Sequence, residues 1–266
     1  MAKMESKVEF FNWKLSSADP VTSMNVSYGK QQKIRRPDIH SAIHIGIIQK
    51  GENCGRFGRD ELNFTAGGIY LTAPYEPHHT IESSGADLLL VTLDTRSLEE
   101  FFSNCREKLS ALLRMPPAAR MSFINSFSPR PESVEKIICC AAADHPSALE
   151  KLRLWHAVLE FFMDILPEKS QELTGSDDYR RLLPVLEKLG NRMLTLEAGA
   201  RLCNLSISRF SVLFKNFSGL SFGRYERNFR LNGAAGSLRC GATLKEAAAE
   251  WDFCDKSHLA RLLKEL

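Results

Sequence analysis

Two apolar stripes of identical spacing constrain this chain more than any other feature. Phe210, Leu213, Phe214 and Phe217 recur at i, i+3, i+4 and i+7, and Leu259, Leu262, Leu263 and Leu266 repeat that spacing 49 residues later. Each stripe is one face of a helix that must be buried. A capping residue precedes each, Ser206 and Asp255, and upstream of each lies a shorter helical stretch, TLEAGARLC from Thr195 and TLKEAAAEW from Thr243. Thr243 and Glu246 form a capping-box pair. Each half is therefore a short helix, a tight turn and a second helix with one apolar face. Between the halves, SFGRYERNFRLNGAAGSL predicts a connecting helix with Phe222, Tyr225, Phe229 and Leu238 turned to a core.

Two helix-turn-helix units in tandem point to DNA. The second helix of each unit buries one face, and its other face is free to enter a major groove. The exposed candidates are Ser206, Ser208, Arg209, Ser211, Val212 and Lys215 in the first unit, and Lys256, Ser257, His258, Arg261 and Lys264 in the second. Arg and Lys neutralise phosphates or pair with guanine edges, hydroxyls serve either role, and helix N-termini offer free N–H groups. Charge agrees: residues from Asp178 onward carry 15 Lys/Arg against 9 Asp/Glu, whereas residues 1–177 carry 20 against 23. A basic third on a mildly acidic body suits an anionic partner.

The rest of the chain reads differently. Residues 8 to about 94 hold short apolar runs (HSAIHIGIIQ, IYLTA, DLLLVTL) separated by Gly and Pro, the pattern of a small antiparallel barrel or sandwich. From Ser97 the pattern turns helical, with a Pro-interrupted loop and then stretches at about 132–144 and 147–166. In the last of these Leu152, Trp155, Leu159, Phe162 and Leu166 form an apolar stripe, which packs either on its own domain or on a second copy of the chain. KSQELTGSDD, residues 169–178, reads as a linker. The expected division is 1–168, a sensing and dimerisation domain with a helical tail; 169–178, the linker; and 179–266, the DNA-binding domain.

Composition excludes several classes. Hydrophobic residues make up 44% and charged residues 25%, as in ordinary globular proteins. No apolar run approaches the ~18 residues of a membrane helix, and the N-terminus lacks a signal-peptide core, so a cytoplasmic location is expected. Seven cysteines without a C-x-x-C pair suggest neither a disulfide framework nor a zinc site. No Ser-His-Asp or Cys-His arrangement, phosphate loop or paired-carboxylate pattern stands out.

The stretch ARLCNLSISRFSVLFKNFSGLSF resembles the first helix-turn-helix of AraC/XylS-type bacterial transcription regulators, through Ala200, Ser206, Phe210, Phe214, Lys215, Gly219, Ser221 and Phe222. Arg230 and Ala234 fit that family's connecting helix; Leu244, Ala248, Phe253, Ser257, Leu259, Arg261 and Lys264 fit its second unit. The resemblance implies an α+β chain: a cupin-like antiparallel β-barrel followed by helices, then an all-α domain with two helix-turn-helix units joined by a connecting helix. It further implies promoter DNA as partner, transcriptional control (often activation through RNA polymerase), a small-molecule effector, and base reading by Ser208, Ser211, Val212, Lys256, Ser257 and Arg261. Three departures stand out: Asp252 where the family usually has Gly, Gly233 and Gly236 inside the connecting helix, and a chain that stops at Leu266 where the family continues with a further turn and packing helix. The last leads to the expectation of a missing final helix and a weaker second unit.

In the strand-rich half, His40, His44, Tyr70, Tyr75, His78 and His79 are the expected lining of an effector pocket. GIYLTAP (68–74) followed by His79 is similar to the second cupin motif, with Glu76 in place of its Gly, but the histidine spacing does not supply the first motif. No metal or cofactor is expected on this pattern. A cupin-type metalloenzyme with a helical appendage is the alternative reading. A homodimer through helix 147–166 is a further expectation.

Overall fold

The computed structural model describes residues 25–30, 36–142, 147–166 and 177–264. The start of the predicted strand region and residues 169–176 of the expected linker lie outside them. Five strands come first: β1 (Asn25–Lys30), β2 (Ile43–Phe57), β3 (Asp60–Thr65), β4 (Ile69–Leu71) and β5 (His78–Leu93). All pairing is antiparallel, in the order β1-β5-β2-β3, with β4 also on β2. The long β2 and β5 form the spine. Register shifts between Ile48 and Gly55 bend them, as bulges do, so that the sheet curls into the expected cupin-like form.

The helices α1 (Thr95–Phe101), α2 (Arg106–Arg114), α3 (Pro117–Ile124), α4 (Glu132–Ala141) and α5 (Ala148–Ile165) follow. The stretch read as a Pro-interrupted loop contains α3, because Pro117 at its first position needs no intrahelical donor. One core joins the sheet to these helices through Ile43, Ile45, Leu89, Val91, Val134, Leu154, Val158 and Phe162. A smaller aromatic cluster, Phe57, Phe64 and Tyr70 with Ile48, Leu88 and Met121, fills another part of the roll. Ser147 and Glu150 complete a capping box at the start of α5.

The apolar stripe expected on α5 is displaced. Its buried face is Leu154, Ala157, Val158, Leu159, Phe161, Phe162 and Ile165. Leu152 lies outside and is exposed, as are Leu149 and Met163. Residue 154 rather than 152 turns inward because α4 packs along that side.

The C-terminal helices are α6 (Asp177–Leu186), α7 (Leu196–Leu202), α8 (Ile207–Ser218), α9 (Phe222–Arg239), α10 (Leu244–Glu250) and α11 (Lys256–Leu263). The last two residues of the expected linker, 177 and 178, already belong to α6. Leu182, Val185, Leu186, Phe210, Phe214, Phe222 and Tyr225 form the core of the first unit. Leu231, Ala234, Ala247, Ala248, Phe253, Leu259 and Leu262 form that of the second.

The halves are docked on each other. Ile39, from the segment before β2, is buried in the core of the first unit. Tyr225 Oη donates to Tyr75 O at 2.6 Å, Tyr179 Oη to Pro74 O at 3.4 Å, and Asn232 Nδ2 to Asp38 Oδ1 at 2.9 Å. The β2–β3 turn at Gly58 abuts the end of α8: a Cβ on Gly219 (φ +73°) would meet Gly58 O at 2.7 Å, and Arg59 Nη1 donates to Asn216 Oδ1 at 3.1 Å.

Candidate functional site

The second helices of the two helix-turn-helix units are α8 and α11, each started by its own cap. Ser206 Oγ accepts from Arg209 N, and Asp255 accepts from the backbone N–H groups of Ser257 and His258, which holds its carboxyl below the usual range. The preceding turns both use a left-handed residue, Asn204 (φ 54°) and Asp252 (φ 57°), followed by a return bond: Leu205 N to Ala200 O and Phe253 N to Ala248 O. Asp252 tolerates this conformation, and its carboxylate accepts from Met193 N at 3.0 Å and Arg192 Nη1 at 3.4 Å. Glycine at this point would offer no such tie to the first unit.

With Phe210 and Phe214 buried, α8 presents Ser208, Arg209, Val212 and Lys215 to solvent; Ser211 is half-buried. Ile207 and Val212 add exposed apolar surface there, suited to a thymine methyl. On α11, Lys256, Ser257, Arg261 and Lys264 are exposed. His258 is not among them: its ring lies edge-on to Phe253 at 5.9 Å and Nδ1 is buried, so this candidate turns inward. Leu259 and Leu262 pack below.

Arg230 brackets the two units. It pairs with Glu226 at 2.6 Å, donates to Trp251 O and Asp252 O, and lies over the Phe253 ring at 4.9 Å. Glu226 in turn accepts from Leu194 N. Because one buried ion pair reaches both units, their relative placement is fixed by α9.

The expected effector lining separates into four places. Tyr70 is buried against Phe57 and Phe64, filling the space over Gly46, so it is core. Tyr75 sits at the junction, its ring 6.3 Å from that of Phe229. His79 alternates to the face opposite His78, opposite Arg56 in the β2–β5 register; burial first, then the Arg56 charge, lowers its pKa to about 4.

Only His40, His44 and His78 converge. His44 stands on β2, His78 opens β5, and His40 lies between the 38–78 bridge and β2. One ring nitrogen of each lies within 4.8 Å of the others. His78 Nε2 and His44 Nδ1 are 3.2 Å apart, His78 Nδ1 donates to Glu76 O at 2.9 Å, and His40 Nδ1 donates to Ala42 O at 3.0 Å. His40 Nε2 is buried without a hydrogen-bond partner. Burial, and then the neighbouring imidazole of His40, hold His44 and His78 below the ordinary histidine pKa. Three imidazoles therefore face one point, and burial disfavours charge on two of them, His44 and His78. Sequence spacing could not show this, since the ligands come from a loop and two strands, 4 and 34 residues apart.

Two further features carried no sequence signal. Arg120 on α3 is fully buried and donates to Leu71 O, Leu113 O, Met115 O and the Glu76 carboxylate. Glu76, the residue in place of the motif glycine, is thus half of a buried ion pair. A cleft of about 380 Å³ opens beside it at the junction of the halves, lined by Arg59, Arg114, Tyr179 and Phe217 among others.

Residues 26–132 match the AraC-like ligand binding domain family, and residues 200–266 match a helix-turn-helix domain family. Over 256 residues the chain is 22% identical to the XylDLEGF operon transcriptional activator 1 of Pseudomonas putida, spanning 89% of this chain and 74% of that protein. Among solved structures, an apo ToxT variant from Vibrio cholerae superposes with a TM-score of 0.58 at 12% identity, covering 91% of this chain and 93% of that one. ToxT of Vibrio cholerae O395 bound to (E)-4-(8-methylnaphthalen-1-yl)but-3-enoic acid gives 0.52 at 10% identity, covering 91% and 94%. At such identities the solved structures speak to the fold. No helix among the described residues is long and apolar enough to cross a membrane. The ligand-binding match and the helix-turn-helix match together favour DNA-binding transcriptional control over the metalloenzyme alternative, and in both halves the chain is similar to the AraC/XylS-type transcriptional regulators.

Proposed function

We propose that α8 and α11 read adjacent major grooves of one promoter site, with Arg209, Lys215, Lys256 and Lys264 on phosphates and Arg261 on a base edge. The observation that carries this reading is the pair of capped helices whose polar faces are exposed while one bracket, Arg230–Glu226, fixes their spacing. Ser208 and Ser211 are small, so α8 contributes shape and methyl contacts through Val212, and α11 supplies the stronger discrimination. The first 168 residues act as the sensing domain, residues 169–176 as the linker, and 177–266, from the start of α6, as the reader. An effector held by the sensing domain alters how Ile39, Asp38 and Tyr75 sit against α9 and so biases the reader. Activation proceeds through contact with RNA polymerase, a reading supported by relatives named as transcriptional activators. Two copies associate through the apolar surface that α5 leaves exposed.

Binding of the full chain to its promoter fragment, followed by fluorescence anisotropy over a range of salt, tests the reading. Log affinity should fall linearly with log salt, by about 0.9 per phosphate neutralised. Lys215→Ala should weaken binding to all sequences and reduce the slope by about 1, whereas Arg261→Ala should cost about 1–3 kcal/mol on the preferred sequence and relax specificity at one position. Salt-independent binding, or identical losses for both variants on every sequence, would sink it.

A further inference from the structure

We propose that His40, His44 and His78 form a binding site for a zinc-class divalent transition-metal ion, and that this ion is the effector of the sensing domain. The regulatory half of this rests on the reading above that the domain controls DNA binding.

The ligand set carries the assignment. Imidazole nitrogens suit zinc and its neighbours in the transition series, and three of them with one oxygen make a tetrahedral site. Zinc–nitrogen bonds of about 2.0–2.1 Å in a tetrahedron place nitrogens about 3.3 Å apart; the His44–His78 pair stands at 3.2 Å. Two of the rings are already oriented as ligands are. His78 and His40 each give their Nδ1–H to a backbone carbonyl, which leaves Nε2 unprotonated, on His78 as the acceptor facing His44 Nδ1. His40 Nε2 is the orphaned one, and nothing else among the described residues satisfies it. Metal entry requires only that His44 carry its proton on Nε2 instead of Nδ1. The Asp38 carboxylate lies outside the three-histidine cluster, its Oδ2 3.9 Å from His40 Nε2, and would swing inward to supply a fourth ligand. His40, a quarter exposed in its side chain, provides the path from solvent.

The same carboxylate links the site to the reader. Asp38 Oδ1 accepts from Asn232 on α9, and the next residue, Ile39, is buried in the core of the first helix-turn-helix unit. On the other side His78 is bonded to Glu76 O, one residue from Tyr75, whose carbonyl accepts from Tyr225. A bound ion would draw Asp38 toward the histidines and fix both segments on which α9 rests.

The test uses the full chain freed of metal with a chelator. Titration with Zn²⁺ against a chromophoric chelator should give one tight equivalent per chain, and Co²⁺ should give the visible bands of tetrahedral coordination. His40→Ala and His44→Ala should each weaken binding by more than the roughly 10–100-fold that loss of a supporting hydrogen bond costs. His156→Ala, on an exposed face of α5, should leave it unchanged. These variants also separate the site from the seven free cysteines. Equal melting temperatures in chelator would show that His40→Ala folds. Zn²⁺ should change promoter affinity about 5- to 150-fold in the wild type and not in His40→Ala. Binding that is substoichiometric or unaltered in both variants overturns the site. One tight equivalent with unchanged promoter affinity overturns its role as effector. Loss of salt-dependent promoter binding in every state would instead count against the DNA-reading proposal, with the metal result standing by itself.

Discussion

Gly233 and Gly236 lie three residues apart on α9, and their surroundings differ. A Cβ on Gly233 would fall 2.0 Å from the Trp251 ring, whereas one on Gly236 meets only Arg239, at 4.0 Å. The first glycine lets the second helix-turn-helix unit close on the connecting helix; the second has only the entropy cost of glycine in a helix. Gly236→Ala should therefore stabilise by about 0.5–1 kcal/mol, and Gly233→Ala should destabilise by about 1–3 kcal/mol through overpacking. Urea unfolding of the two variants checks both signs. From sequence the two positions looked alike, because a helix pattern does not reveal which side chain crosses it. The same holds for Glu76, which reads as a departure from a motif until Arg120 is found beside it. Arg120→Met leaves that carboxylate buried without its partner and should cost about 3–5 kcal/mol by the same measurement.

Among the elements, the two helix-turn-helix units share a plan but not a core. The first is filled by Phe210, Phe214, Phe222 and Tyr225, the second by three alanines among its seven buried members. Less apolar area is buried in the second, so amide exchange should be faster across α10 and α11 than across α7 and α8. Uniform protection would contradict this. The caps differ as well. Ser206 and Thr195 do not titrate, but Asp252, Asp255 and Glu246 all do, each held below its usual value chiefly by backbone N–H groups. A lowered folded-state value gives stability that is complete above the ordinary carboxyl range, about pH 4, and is lost as pH falls through the folded values. Acid should accordingly loosen the second unit before the first, visible as an exchange difference that widens below about pH 4. Caps, turns and the second helix of each unit were legible in the sequence because each depends on residues a few positions apart. Which face of α5 is buried was not, since Leu152 and Leu154 fit the helical period comparably and α4 decides between them.

For the whole molecule, the exposed strip on α5 and the junction between the halves set the behaviour. Leu149, Leu152 and Met163 are 58%, 46% and 63% exposed on one helix. Replacing Leu152 and Met163 by Glu should shift sedimentation from dimer to monomer without lowering the melting temperature, because neither side chain belongs to the core. A monomeric wild type at micromolar concentration would remove dimerisation through α5. The junction, by contrast, joins partners 150 and 194 residues apart, Tyr225 with Tyr75 and Asn232 with Asp38. No local pattern encodes such pairs.

The sequence by itself determined the tandem helix-turn-helix plan, the strand-rich first half, the capping residues and the basic balance of the C-terminal third, because periodicity, capping and composition are short-range properties of the chain. The tertiary structure decided that His40, His44 and His78 share one point while Tyr70 and His79 do not, that His258 turns inward, that Glu76 serves Arg120, and that the sensing half is docked on α9. Each of these depends on where β2, β5 and the helices pass one another, and that is set by how a whole core packs.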